Sequence, residues 1–138
     1  MKNKFISAHL EVARVYGRLS SAKRLQVGCI IVKDDRIISI GYNGMPIGAS
    51  NICEEDGHTK PEVIHAEANA ITKLAKSTES GQGSYMFCTY APCVECAKLI
   101  LQSGIKEFHY EEDYRDDYGI EIMKKYSNVE IYKHGGEM

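Results

Sequence analysis

The chain has 138 residues, 43% of them hydrophobic and 26% charged, with a formal net charge of -2. That is enough for one compact domain, far from the composition of a disordered segment, and without the broad basic stripe that a nucleic-acid backbone requires. A small substrate is therefore expected rather than a nucleic acid, and no apolar run approaches the roughly 20 residues that cross a bilayer.

The first residues, Met1-Lys-Asn-Lys-Phe-Ile, carry positive charge with no apolar core after them and do not read as a signal peptide. The five cysteines, Cys29, Cys53, Cys88, Cys93 and Cys96, are an odd number in a chain without an export signal. They read as reduced thiols, able to bind metal, in a cytoplasmic protein.

In chain order, Phe5, Ile6, Leu10, Val12, Ala13 and Tyr16 recur at helical spacing and predict a packed helix over residues 4–18. Val27 to Val32 and Ile37 to Tyr42 are β-prone runs around Lys33-Asp-Asp-Arg36, a strand-turn-strand pattern in which Cys29 reads as a small core residue. From Asn43 to Pro61 periodicity is lost and Gly and Pro accumulate, predicting a long surface loop. A second helix follows on Ile64, Ala68, Ile71 and Leu74, then a buried strand over 84–90. A third helix starts near Pro92 and stops at Gly104. A strand over 105–110, an amphipathic helix over 116–126 and a last strand over 129–132 complete the chain.

No repeat or linker divides the sequence, so residues 1–138 are expected to form a single domain. The order α-β-β-α-β-α-β-α-β implies an α/β fold with a mixed five-stranded sheet flanked by helices: an antiparallel hairpin first, then parallel strands with crossover helices.

Two motifs carry chemistry. His65-Ala-Glu67 opens the second helix and Pro92-Cys93-Val-Glu-Cys96 opens the third. Two thiols three residues apart in the first helical turn share a face, and the unpaired N–H groups there favour thiolates. With His65 they make three ligands for zinc, leaving the fourth tetrahedral position open to water. Zinc lowers the pKa of such a water to about 7, and Glu67, beside a ligand without being one, is placed to move its proton as base and then acid. H-x-E followed by P-C-x-x-C is the signature of zinc deaminases. Two blander readings stay open: a structural zinc site with a fourth ligand from Cys53 or His58, or no metal, with Cys93 and Cys96 as packing residues.

Around these motifs, Gln26-Val-Gly-Cys-Ile-Ile-Val32, Gly41-Tyr-Asn-Gly-Met-Pro46, His65-Ala-Glu-Ala-Asn-Ala-Ile71, Pro92-Cys-Val-Glu-Cys-Ala-Lys-Leu-Ile100 and Gln102-Ser-Gly-Ile-Lys106 resemble the cytidine and deoxycytidylate deaminase superfamily. Within it the chain is most similar to the deoxycytidylate (dCMP) deaminases, from about residue 5 to residue 132. The resemblance implies a three-layer α/β/α fold. It implies attack of zinc-bound hydroxide on C4 of cytosine while Glu67 protonates N3, with loss of ammonia to leave dUMP for thymidylate synthesis. By the same analogy Asn43 contacts the sugar and the backbone at Ala66 reads the pyrimidine edge. Arg24 is the candidate for the phosphate, since a guanidinium fork suits its geometry, and Tyr114 is a candidate to close over the nucleotide. Residues 20–26 lack the cysteine with which some relatives bind a structural zinc, so one zinc per chain is expected. A dimer-based homo-oligomer, up to a hexamer, and control by dCTP (with Mg2+) and dTTP are further expectations of the resemblance. The rival functions are deamination of another cytosine substrate, such as cytidine or dCTP, and a catalytically silent zinc-binding module for oligomerisation.

Overall fold

The computed structural model describes residues 1–126 and 128–135; Ser127 and residues 136–138 of the expected domain lie outside the described residues. Helix α1 (Asn3–Gly17) leads into strands β1 (Gly28–Lys33) and β2 (Arg36–Tyr42), a short hairpin β3 (Glu54–Glu55) and β4 (His58–Thr59), and helix α2 (Ala66–Leu74). Then β5 (Tyr85–Tyr90), α3 (Val94–Gln102), β6 (Glu107–Glu112), α4 (Tyr118–Lys125) and β7 (Glu130–Lys133) alternate. The main sheet has the order β2-β1-β5-β6-β7. β1 is antiparallel to β2 and β5, whereas β5, β6 and β7 are mutually parallel, so the mixed five-stranded α/β sheet expected from the sequence is present.

The β1–β2 hairpin turns on Asp34 and Asp35, both with positive φ (52° and 62°), as a two-residue turn matched to strand twist requires. Alternation along the strands sends Cys29, Ile31, Met86, Cys88, Phe108 and Tyr110 to one face, where α2, α3 and α4 cover them in the larger core. Ile30, Val32 and Phe87 face the other way and meet Leu10 and Ala13 of α1. Cys29 and Cys88 are fully buried, as expected of core residues.

Two expectations are corrected. Phe5 does not join the packed face of α1: it is 49% exposed, with the Lys4 Nζ over its ring, because Ile6, Leu10, Ala13 and Gly17 form the inner stripe instead. The stretch 43–61 is not wholly irregular. Glu54 and Glu55 pair with Thr59 and His58 around Asp56-Gly57, whose φ values of 53° and 77° make a tight hairpin turn. Asp-Gly is the sequence signal for such a turn.

Candidate metal centre and nucleotide cavity

Helices α2 and α3 both begin at one end of the sheet, and their N-cap residues are His65 and Cys93. α2 is held to β2 by three polar contacts: Ser39 Oγ donates to the Ala70 carbonyl (2.6 Å), Asn69 Nδ2 to that of Tyr42 (3.0 Å) and Lys73 Nζ to that of Ile40 (2.7 Å). Gly41 permits this closeness, since a Cβ there would meet the Ala66 carbonyl and lie 2.6 Å from the Ala70 nitrogen. The approach to α3 is held by the Ala91 N–H, which donates to the Glu112 carbonyl (2.8 Å). Gly119 of α4 lets that helix pack against the carbonyls of Pro92 and Cys93.

This framework brings His65 Nδ1 to 3.3 Å from Cys93 Sγ and 3.6 Å from Cys96 Sγ. The three donor atoms all lie within 4.8 Å of one another. Donors about 2.0–2.3 Å from one tetrahedral zinc stand about 3.6 Å apart, so the set fits that ion without rearrangement. The Cys96 N–H points at Cys93 Sγ from the first turn of α3 (3.5 Å), an arrangement that favours a thiolate. Cys93 is held well below the usual thiol range by hydrogen bonds from the Cys96 thiol, from His65 and from that N–H. The same thiol-to-thiolate bond, with burial, pushes Cys96 up; the bond to Cys93 also raises His65. Cys53 and His58 do not join the group among the described residues: Cys53 is buried, with its thiol donating to the Asn51 carbonyl (3.7 Å). Three donors from two helix ends make an open site, which does not favour the closed four-ligand structural reading.

Glu67, 4% exposed, lines the cavity beside His65 and Cys93. Burial pushes its carboxyl up to about 7. The cavity measures about 800 Å³, within the range of small-molecule sites, and opens beyond the carboxyl ends of β5 and β6, where parallel sheets commonly bind ligands. All the candidate substrate residues border it: Arg24, Asn43, Ala66 and Tyr114. Asn43 is also a brace, its Oδ1 accepting from the Val27 N–H (2.9 Å) and its Nδ2 donating to the Leu25 carbonyl (2.7 Å). Arg115 and Asp113 on the same rim, and Thr59 from the short hairpin, were not singled out by the sequence, and His58, considered there only as a fourth metal ligand, borders the cavity instead. The Arg115 guanidinium lies 5.5 Å from the centre of the Tyr114 ring, and the signal for it was a lone cation inside an acidic run.

The chain belongs to the family of the cytidine and deoxycytidylate deaminase zinc-binding region, whose sequence model matches residues 2–112. Among solved structures it is similar to the dCMP deaminase of cyanophage S-TIM5 in complex with dCMP and dUMP, at 43% identity and a TM-score of 0.94 over 97% of this chain and 99% of that one. Among curated proteins it is 41% identical over 101 residues to ComE operon protein 2 of Bacillus subtilis, covering 70% of this chain and 53% of the relative. It is also 41% identical over 113 residues to human deoxycytidylate deaminase, covering 75% and 62%. The chain thus spans little more than half the length of these two curated relatives.

Proposed function

We propose that the protein hydrolyses dCMP to dUMP and ammonia. The observation that carries this reading is the juxtaposition, at one wall of a nucleotide-sized cavity, of three zinc-type donors and a buried carboxyl whose pKa burial raises. The likeness to a phage dCMP deaminase in complex with dCMP and dUMP supports the substrate.

His65 Nδ1 and the thiolates of Cys93 and Cys96 would hold one zinc ion per chain. When bound, zinc supplies the Lewis acidity that makes water nucleophilic near neutral pH. Glu67 takes one proton of the attacking water and delivers it to N3 of the cytosine ring as C4 is attacked; it then takes the second proton from the C4 hydroxyl and passes it to the departing amine, so that water and cytosine become uracil and ammonia. The Ala66 backbone reads the pyrimidine edge. Asn43 retains one amide hydrogen and one lone pair beyond its two backbone bonds, and these serve the sugar. Arg24 binds the 5′-phosphate, and Tyr114, stacked with Arg115, closes over the nucleotide.

The whole of 1–138 acts in this reading as one deaminase domain, in the cytoplasm, feeding thymidylate synthesis. No described helix is long and apolar enough to cross a membrane. A dimer-based oligomer, hexamer included, with dCTP and Mg2+ activating and dTTP inhibiting, completes the proposal by analogy. Ammonia release from dCMP, deoxycytidine and dCTP tests it. Turnover of dCMP well above the other two supports the reading; preference for another cytosine substrate replaces the substrate, and zinc binding with no turnover leaves a silent module.

A further inference from the structure

The segment that carries Arg24 is irregular and partly exposed, yet its backbone is fastened at several points. Ser20 Oγ accepts from the Ala22 N–H (3.1 Å) and donates to the Asn43 carbonyl (2.7 Å). Gln26 Nε2 donates to the Ser20 carbonyl (2.9 Å), and the Asn43 side chain accepts from the Val27 N–H and donates to the Leu25 carbonyl. The N–H groups of Lys23 and Arg24 both donate to one carboxylate oxygen, Glu54 Oε2, at 2.9 and 3.1 Å.

Glu54 begins the 54–59 hairpin, whose far strand supplies His58 and Thr59 to the cavity. One carboxylate therefore joins two rims of the cavity that are about thirty residues apart in sequence. A loop held only for stability has no need of a chain of polar fasteners ending at an arginine on a cavity rim; a preorganised anion site does. Those two backbone donors also hold the Glu54 carboxyl below the usual carboxylate range.

We propose that Glu54 is a positioning residue for phosphate recognition: by clamping the Lys23 and Arg24 amides it fixes the Arg24 guanidinium at the cavity rim, and so sets the preference for a phosphorylated nucleotide over its nucleoside. This rests on the dCMP reading above and goes beyond it in naming what aims the phosphate ligand.

The test uses the zinc-loaded enzyme. Glu54→Ala raises KM for dCMP about tenfold with kcat nearly unchanged, while the inhibition constant of deoxycytidine, measured as a competitor, stays within about twofold. Glu54→Gln, which keeps an acceptor oxygen, restores KM. In an Arg24→Ala background, removing Glu54 adds nothing further, the non-additivity expected if one acts through the other. If Glu54→Ala leaves KM for dCMP unchanged, weakens deoxycytidine equally, or adds in full to Arg24→Ala, the inference is overturned. If the unaltered enzyme turns over no cytosine nucleotide, it is the deaminase reading that fails.

Discussion

His65 and Cys93, 28 positions apart, are the N-cap residues of α2 and α3, and their donor atoms lie 3.3 Å apart. Each helix thus offers its positive end, and its N-cap side chain, to the same point. Glu67 follows His65 by two residues in α2 and is buried on the wall of the cavity that His65 and Cys93 border.

The first consequence concerns metal. The purified protein is expected to contain about one zinc per chain, and Cys96→Ser to contain well below half of that, because a serine hydroxyl at neutral pH is no substitute for a thiolate. Elemental analysis of the two proteins checks this. Chelation should abolish activity and lower the melting temperature, and zinc should restore both.

Gly41 is the second. A methyl group there meets the Ala66 carbonyl and the Ala70 nitrogen, neither of which is the free end of a side chain. Gly41→Ala is expected to cost about 1–3 kcal/mol of stability by displacing α2. Because α2 carries Glu67 and follows His65, kcat should fall as well, which denaturant unfolding and steady-state kinetics would measure together.

Much of the site could be read from the sequence, because the chemistry is concentrated in two short motifs at helix starts, where N-terminal geometry alone brings Cys93 and Cys96 together. The fastening of residues 20–27 by Asn43 and Glu54 could not, since it depends on contacts across sequence separations that no periodicity encodes. The 54–59 hairpin lay between these cases: Asp56-Gly57 signalled its turn, but flanking strands of two residues gave no alternation to read. Helix α1 shows the limit of periodicity. Phe5 and Val15 are exposed although apolar, so spacing predicted a helix but not which stripe the sheet would take.

The hairpin turn itself gives a third prediction. Asp34 and Asp35 both hold the left-handed backbone region, which costs a residue with a Cβ more than glycine. Replacing the pair by Asn-Gly should stabilise the fold by about 1 kcal/mol without altering kcat, measured by denaturant melts and turnover of dCMP.

A fourth prediction concerns pH. His109, 2% exposed, donates from Nε2 to Glu107 Oε1 (2.9 Å), so its Nδ1 is the acceptor from His134 Nε2 (2.8 Å), with Phe87 and Tyr132 stacked on the ring. Burial holds its pKa below the ordinary value of 6.5. The unfolded chain then binds a proton that the folded chain does not, and the stability owed to neutral His109 is present above about 6.5 and lost as pH falls below it. The stability advantage of the natural protein over His109→Phe should shrink between about pH 7.5 and 5.5, as followed by urea unfolding.

The most direct measurement is ammonia release from dCMP by zinc-loaded Glu67→Gln beside the unaltered enzyme. Glutamine keeps the shape of the side chain and cannot carry the proton, so kcat should drop about a thousandfold with zinc content and KM for dCMP little changed. A variant that still releases ammonia at a comparable rate with its zinc in place would show that Glu67 does not move the proton, and the mechanism proposed for this site would be wrong.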